Sequence, residues 1–326
     1  MNKRKFTLAD VASEAGVSVM TVSRVVNNKG EISDETRRQV QSIIDRMNYR
    51  PNRVARSLVT QRTHIIGVVV PDITNPYFAN IVRGVEDEAW KYGYNIILNN
   101  TVEQHQRETS ALQLLEETEA EALVMCSPRL PDEELHPLLQ RHRIVIVLNR
   151  DVPEHLAKTL HFENIGLMLQ VAHLVSRGCQ QIAIVHHGGY DMQNGQVFEQ
   201  IRQQFGDVIA LEHVHHRHPT WESGYEWMRQ HASLCKHVDG IVCSNDLIAL
   251  GVLEACNELG IAIPDDIALI GNDDILAARI AGLSTLSSPQ YAIGKVAMQI
   301  VLNELDDLDV DVDHKFQFEL VIRNST

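Results

Sequence analysis

The chain has 326 residues, 44% of them hydrophobic, which is enough for two or three domains with a sizeable core each. There is no charged-then-apolar leader and no apolar run of bilayer length, and the five cysteines (Cys126, Cys179, Cys235, Cys243, Cys256) are scattered without a Cys-x-x-Cys pair. Export, a membrane span, a disulfide framework and a structural zinc site are all disfavoured, and the expected compartment is the cytoplasm.

The net charge of -14 argues against a nucleic-acid partner until it is divided along the chain. Residues 1–63 hold 12 Lys and Arg against 6 Asp and Glu, which leaves 17 against 37 for the rest. A basic head on an acidic body confines phosphate contact to the head.

Thr7 can cap a helix whose Leu8, Val11, Ala12 and Ala15 recur at i, i+3, i+4 and i+7. Gly16 ends it, because a sharp turn between helices needs a left-handed backbone, and Ser18 is placed to cap a second helix. In that second helix Val22, Val25 and Val26 face the first, leaving Val19, Met20, Ser23 and Arg24 outward near the end that a recognition helix presents to base edges. Arginine suits bidentate contact with guanine, whereas Val19 and Met20 are limited to apolar contacts such as a thymine methyl. Ser33 caps a third helix with Val40, Ile43, Ile44 and Met47 as its apolar stripe, and Arg37 and Arg38 stay on the solvated face. The proline of Tyr49-Arg-Pro-Asn52 ends this helix. The next segment, Arg53–Val59, is helix-forming but only about two turns long, which is marginal in isolation. Val54 and Leu58 share one face of it, so two copies could pair and leave Leu58 to wedge between base pairs.

From Ile65 the pattern changes. Ile65–Val70, Asn95–Leu98, Ala122–Met125, Ile144–Leu148, Ile182–Val185, Gly240–Cys243 and Ile267–Gly271 read as strands, with amphipathic helices between them. Such alternation predicts an α/β body of two doubly wound lobes behind a small all-α helix-turn-helix head. The expected domains are a head at 1–50, a hinge at 51–62 and a body at 63–326. Within the body, lobe 1 takes about 63–160 plus 288–306, and lobe 2 about 161–287 plus 307–326. Thr159–Phe162 and Leu283–Ser287 are the expected crossings, and Tyr291–Asp306 and Lys315–Ile322 the final helix and strand.

Leu8-Ala-Asp-Val-Ala12, Ala15-Gly-Val-Ser18, Thr21-Val-Ser-Arg-Val25 and Tyr49-Arg-Pro-Asn52 together resemble the DNA-binding head of the lactose/galactose repressor family. The resemblance extends over nearly the whole chain and implies a periplasmic-binding-protein type I body with a third crossing near the C-terminus. It implies base reading by Val19, Met20 and Arg24, phosphate or sugar contact by Thr21, Ser23, Asn52 and Arg53, and a hinge helix that folds when paired in the minor groove through Ala55 and Leu58. Thr326 leaves no room for the leucine-heptad tail of tetrameric members, so a homodimer on a near-palindromic operator is expected.

Ligands of open α/β sheets sit beyond the carboxyl ends of the strands. Asp72, Asn75, Tyr77 and Phe78, then Asn149 and Arg150, Asn245 and Asp246, and Asp273 and Asp274 follow strands here. Their amides and carboxylates can pair with vicinal hydroxyls, and Tyr77 or Phe78 could stack on a sugar face. Asn75 and Asp246 also read as helix caps. Matched to the family's effector pocket, Asn149, Asn245 and Asp273 fall on ligand-holding positions. Two departures stand out. The arginine clamp that the family usually places after the strand at Ile182–Val185 is replaced by Val197, and Pro219 stands where an aromatic is expected ahead of Ser223-Gly224.

His213, His215, His216 and His218 alternate as metal ligands on a strand would, but no carboxylate or cysteine lies at ligand spacing, so neither a metal nor a cofactor is expected. Trp221 and Tyr225 read as helix-packing residues. The expected function is a ligand-responsive, sequence-specific transcriptional regulator, a repressor of a carbohydrate-utilisation operon with a sugar or sugar derivative as effector. A regulator with a lost or altered small-molecule site is the alternative. An exported solute-binding protein would have no use for residues 1–60, and an enzyme would need a nucleophile, phosphate loop or cofactor fingerprint that the chain does not supply.

Overall fold

A computed structural model describes residues 6–26, 30, 32–50, 62–160, 165–186, 196–214, 218–306 and 316–326. It divides into two compact units, residues 1–63 and 64–326.

Among the described residues the first unit holds three helices, α1 (Leu8–Ala15), α2 (Val19–Val26) and α3 (Asp34–Met47). Each start is fixed by a short polar residue. The Thr7 hydroxyl accepts from Asp10 N while the Asp10 carboxylate accepts from Thr7 N, a reciprocal capping box. Ser18 and Ser33 accept from Thr21 N and Thr36 N in the same way. Gly16 ends α1 at φ 64°, the left-handed region where a side chain would be strained. Val11, Ala12, Ala15, Val22, Val25, Val40, Ile43 and Tyr49 form the unit's core.

The second unit carries two sheets. The first comprises β1 (Ile65–Val70), β2 (Asn95–Asn100), β3 (Ala122–Cys126), β4 (Val145–Leu148) and β5 (Lys158–Leu160), all parallel in the order β2-β1-β3-β4-β5. The helices α4 (Pro76–Lys91), α5 (His105–Glu117) and α6 (Asp132–Leu139) connect them. The second sheet comprises β6 (Ile182–His186), β7 (Ile209–Val214), β8 (Gly240–Cys243), β9 (Ala268–Asp273), β10 (Ser284–Ser287) and β11 (Glu319–Val321), in the order β11-β10-β9-β8-β6-β7 with only β11 antiparallel. Among the described residues its helices are α7 (Ile165–Ser176), α8 (Gln196–Phe205), α9 (Trp221–Gln230), α10 (Asp246–Leu259) and α11 (Leu276–Ala281). The last helix, α12 (Gln290–Asp306), leaves β10 of the second sheet yet packs against α4 of the first, where Ile293, Ala297, Val301 and Leu302 join Phe78, Ile81 and Val85 in one core.

The uniformly apolar runs are strands as expected, since a parallel strand covered on both faces has no polar side. The segments expected as crossings, Thr159–Phe162 and Leu283–Ser287, hold β5, after which the chain enters the second lobe, and β10, after which it enters α12 against the first. In β10 the buried Ser284 and Thr285 side chains are satisfied by Thr326 and Asp246. In the described part of 316–326 the terminal strand is only Glu319–Val321.

Each lobe is clamped by a crossed helix pair in which glycines replace side chains. A methyl group on Gly84 would fall on the Tyr291 carbonyl and one on Gly294 on that of Ile81, joining α4 to α12. Gly224 and Gly251 meet the Ile248 and Trp221 carbonyls in the same manner, joining α9 to α10.

Candidate functional site

On α2 the apolar period seats Val22 and Val25 in the head core and leaves Val19 and Met20 49% and 63% exposed, unusual for residues of that size. Arg24 is exposed one turn later, its aliphatic stem beside Gly30. Thr21 and Ser23 are half-buried, and the Thr21 hydroxyl pairs with Ser18 Oγ at 2.9 Å, so it braces the start of the helix. Two contacts that the sequence did not disclose fix α3 behind this face. Gln39 Nε2 donates to the Ala15 carbonyl at the end of α1, and Arg46 pairs with Glu14 at 2.5 Å. Asn52, Arg53, Val54, Ala55 and Leu58 lie outside the described residues.

At the carboxyl end of the first sheet, Asn75 caps α4 by accepting from Tyr77 N, and Asp72 closes its own turn on Thr74. Tyr77 is half-buried, but helical spacing turns Phe78 inward with Ile81, Val82 and Val85. Phe78, expected to face a ligand, is a core residue. Asn149 follows β4 in a left-handed conformation, φ 59°, and its amide donates to Tyr77 Oη at 3.0 Å and Ser127 Oγ at 3.1 Å. The fold therefore brings Asn149 and Tyr77, 72 positions apart, into one polar cluster. Arg150 does not join it. Its buried guanidinium donates to the Pro128 and Leu130 carbonyls and meets Asp132 at 2.5 Å, which fastens the loop after β3.

On the second sheet the cap of α10 is Asn245, whose Oδ1 accepts from Ile248 N while Nδ2 donates to the Pro219 carbonyl. Asp246, read as a cap, is instead the first residue inside that helix and fully buried. Its carboxyl accepts from Ile275 N at 2.9 Å and Thr285 Oγ1 at 2.6 Å, tying α10 to β10 and to the loop after β9. Burial, reinforced by the charge of Asp274, pushes this carboxyl up to about 7 against the bonds from Thr285 and Ile275 and the charge of Arg323. Asp273 ends β9 at φ 116°, 5% exposed, with Asn272 Nδ2 donating to it and Gln290 Nε2 donating to its carbonyl. Burial and then the Asp246 charge drive its carboxyl well above the ordinary carboxylate range.

Val197 is 3% exposed and packs with Phe198 and Ile201 in the second lobe's core. Trp221 stacks on Tyr225 at 5.0 Å, and Tyr225 Oη donates to Glu258, so both pack along the helix as expected. His215 and His216 lie outside the described residues and His218 is exposed.

A helix-turn-helix with an exposed reading face, and a two-sheet body with amides and carboxyls at its strand ends, define a DNA-binding regulator with a solute-binding-type body. Residues 7–52 match the bacterial regulatory proteins of the lacI family, and residues 171–326 a periplasmic binding protein-like domain. The chain is 33% identical to the HTH-type transcriptional regulator RegA of Clostridium saccharobutylicum, over 98% of this chain and 99% of that one. It is 31% identical to the ribose operon repressor of Halalkalibacterium halodurans, over 98% and 97%. The crystal structure of the lac repressor dimer bound to operator and the anti-inducer ONPF superposes with a TM-score of 0.83 at 25% identity, covering 99% of each chain. The chain belongs to the lacI family of bacterial regulatory proteins. It is a DNA-binding transcriptional regulator, not an enzyme.

Proposed function

We propose that this protein represses a carbohydrate-utilisation operon by gripping a near-palindromic operator as a homodimer, with a sugar or sugar derivative bound between its lobes as effector. The observation that carries the reading is the α2 face, where Val19, Met20 and Arg24 project from a helix fixed by Ser18, Val22 and Val25. Arg24 reads guanine, Val19 and Met20 make apolar contacts, and Thr21, Ser23, Asn52 and Arg53 hold the backbone, with Ala55 and Leu58 in the minor groove. Asn149, Tyr77, Asn245 and Asp273 are the effector contacts. Tyr77 and Asn149 are already joined, and Asn245 and Asp273 stand at the ends of β8 and β9.

Dimer formation is supported by large apolar side chains in water. Trp90, Leu98 and Leu114 are exposed on lobe 1, and Leu276 and Ile280 on α11 of lobe 2. Among the described residues no helix is long and apolar enough to cross a membrane. A cytoplasmic, nucleoid-associated location follows from the proposed DNA partner.

One such reading helix carries a single guanine-competent side chain, so specificity needs two copies at fixed spacing. Genomic fragments retained by the full-length protein should share an inverted repeat. On that repeat Arg24→Ala should lose about 10- to 100-fold in affinity, mostly by relaxing one base position. Equal affinity and unchanged base preference would remove Arg24 from the reading face.

A further inference from the structure

The helix α11 is too short to hold its own position. It has six residues, its N-cap Ile275 offers no side-chain bond, and Ala278 is its one buried member. Its outer side carries Leu276, Ala277, Ile280 and Ala281, all exposed, with Leu276 and Ile280 one turn apart.

The pose of this helix is set by its flanks. Asp273 and Asp274 lead into it at φ 116° and 55°, conformations that non-glycine residues hold only where surrounding bonds over-determine them. Asp274 N donates to Thr285 Oγ1 at 3.3 Å, and Ile275 N to the Asp246 carboxyl at 2.9 Å. On the far side Gly282 turns at φ 69°, and its carbonyl accepts from Asn324 N at 2.9 Å. One side chain reaches both flanks. Arg323 Nη2 donates to Asp274 Oδ1 at 2.5 Å, and Arg323 Nη1 to the Leu283 carbonyl at 2.7 Å. The planar fork presents its donors at a fixed spacing, so it fixes the residue before α11 relative to the residue after it.

What such a helix can meet is limited by charge. Residues 64–326 hold 17 Lys and Arg against 37 Asp and Glu, so a second copy is repelled wherever acidic faces approach. The stretch Ile275–Ala281 has no acidic residue, and its apolar face matches itself across a two-fold axis.

We infer that Arg323 is a positioning residue for assembly: its guanidinium spans both flanks of α11 and so holds the Leu276 and Ile280 face in the pose on which a second copy docks. This rests on the homodimer reading and names the residue that prepares one of its faces. Because Asp273 and Asp274 are consecutive, the same guanidinium joins the end of β9 to that face.

The test is sedimentation equilibrium of the full-length protein without DNA, paired with amide hydrogen exchange over residues 275–283. Arg323→Ala should raise the dimer dissociation constant by about 10-fold or more and speed exchange across α11, since ordering the face then falls on the association step. Arg323→Lys keeps the charge but lacks the fork, so it should move both readouts the same way by less, and it carries the test if the alanine variant does not fold. Leu276→Asp should leave a monomer. Arg150→Lys, which disturbs a buried guanidinium of lobe 1, should change neither association nor exchange in α11. Association within about threefold of the wild type in both Arg323 variants, unchanged exchange in α11, or a Leu276→Asp dimer of wild-type affinity overturns the inference. A wild type that stays monomeric removes the homodimer reading and the inference together, whereas the other outcomes leave that reading standing.

Discussion

The strand ends of the two lobes are built on the same scaffold but carry different chemistry. Lobe 1 presents a neutral cluster, Tyr77, Ser127 and Asn149, whose members hydrogen-bond one another, with the nearby arginine sunk into carbonyls. Lobe 2 holds two carboxyls, Asp246 and Asp273, buried beyond what their partners compensate. Beneath both lies a glycine-crossed helix pair, α4 with α12 and α9 with α10. The scaffold is duplicated and the strand ends are not, so lobe 1 carries a neutral hydrogen-bonded cluster while titration falls on the carboxyls of lobe 2.

The sharpest way to break the scaffold half of this comparison is a methyl group at the crossings. Gly84→Ala and Gly251→Ala each drive a side chain into a backbone carbonyl that cannot rotate away, and each should cost about 3 kcal/mol. Chemical denaturation should show the two losses alike. A loss in one lobe only would mean that the pairs are not equivalent.

The charge half is tested at Asp246. Its folded value, about 7, lies above the ordinary 3.8, so the folded state holds a proton that the unfolded chain has released between those two values. The stability this gives is fully present below about pH 4 and is lost as pH rises toward 7. Asp246→Asn retains an oxygen for Ile275 N and an amide for Thr285 Oγ1 but cannot titrate. Between pH 5 and 8 its melting temperature should fall less than that of the wild type. Parallel melting curves for the two proteins would show that Asp246 is ionised throughout.

The smallest effect is expected in lobe 1. Tyr77→Phe removes one bond to Asn149 and leaves Ser127 in place, so stability should change by about 1 kcal/mol or less with no new pH dependence. A pH-dependent loss there would blur the contrast between the lobes.

How much of this was legible in the residues depended on the reach of each interaction. The head's caps at Thr7, Ser18 and Ser33 and its turn at Gly16 depend on neighbours three or four positions away, so local chemistry sufficed. The buried strands announced themselves as unbroken apolar runs. Elements whose polar groups find partners far along the chain stayed hidden. Thr285 of β10 is satisfied by Asp246, 39 positions away, and Arg150 looked ligand-facing because the carbonyls that hold it belong to another loop. Asn245 and Asp246 are adjacent and both are good caps, so only the fold could say which faces the helix end. Phe78 carried no signal separating it from Tyr77 beyond the helical period, which places it with Ile81 and Val85.

The passage of α12 from the end of β10 into the core of lobe 1 bears on the order of events during synthesis. Ile293, Ala297 and Val301 emerge from the ribosome more than 120 residues after Leu160 has completed the strands of the first sheet. Until then the face of α4 that carries Ile81, Gly84 and Val85 has no partner, while α9 and α10, separated by a short stretch, can dock as soon as both are made. Lobe 1 should therefore keep this apolar face open until α12 is made, and lobe 2 in turn closes its sheet only when β11 follows.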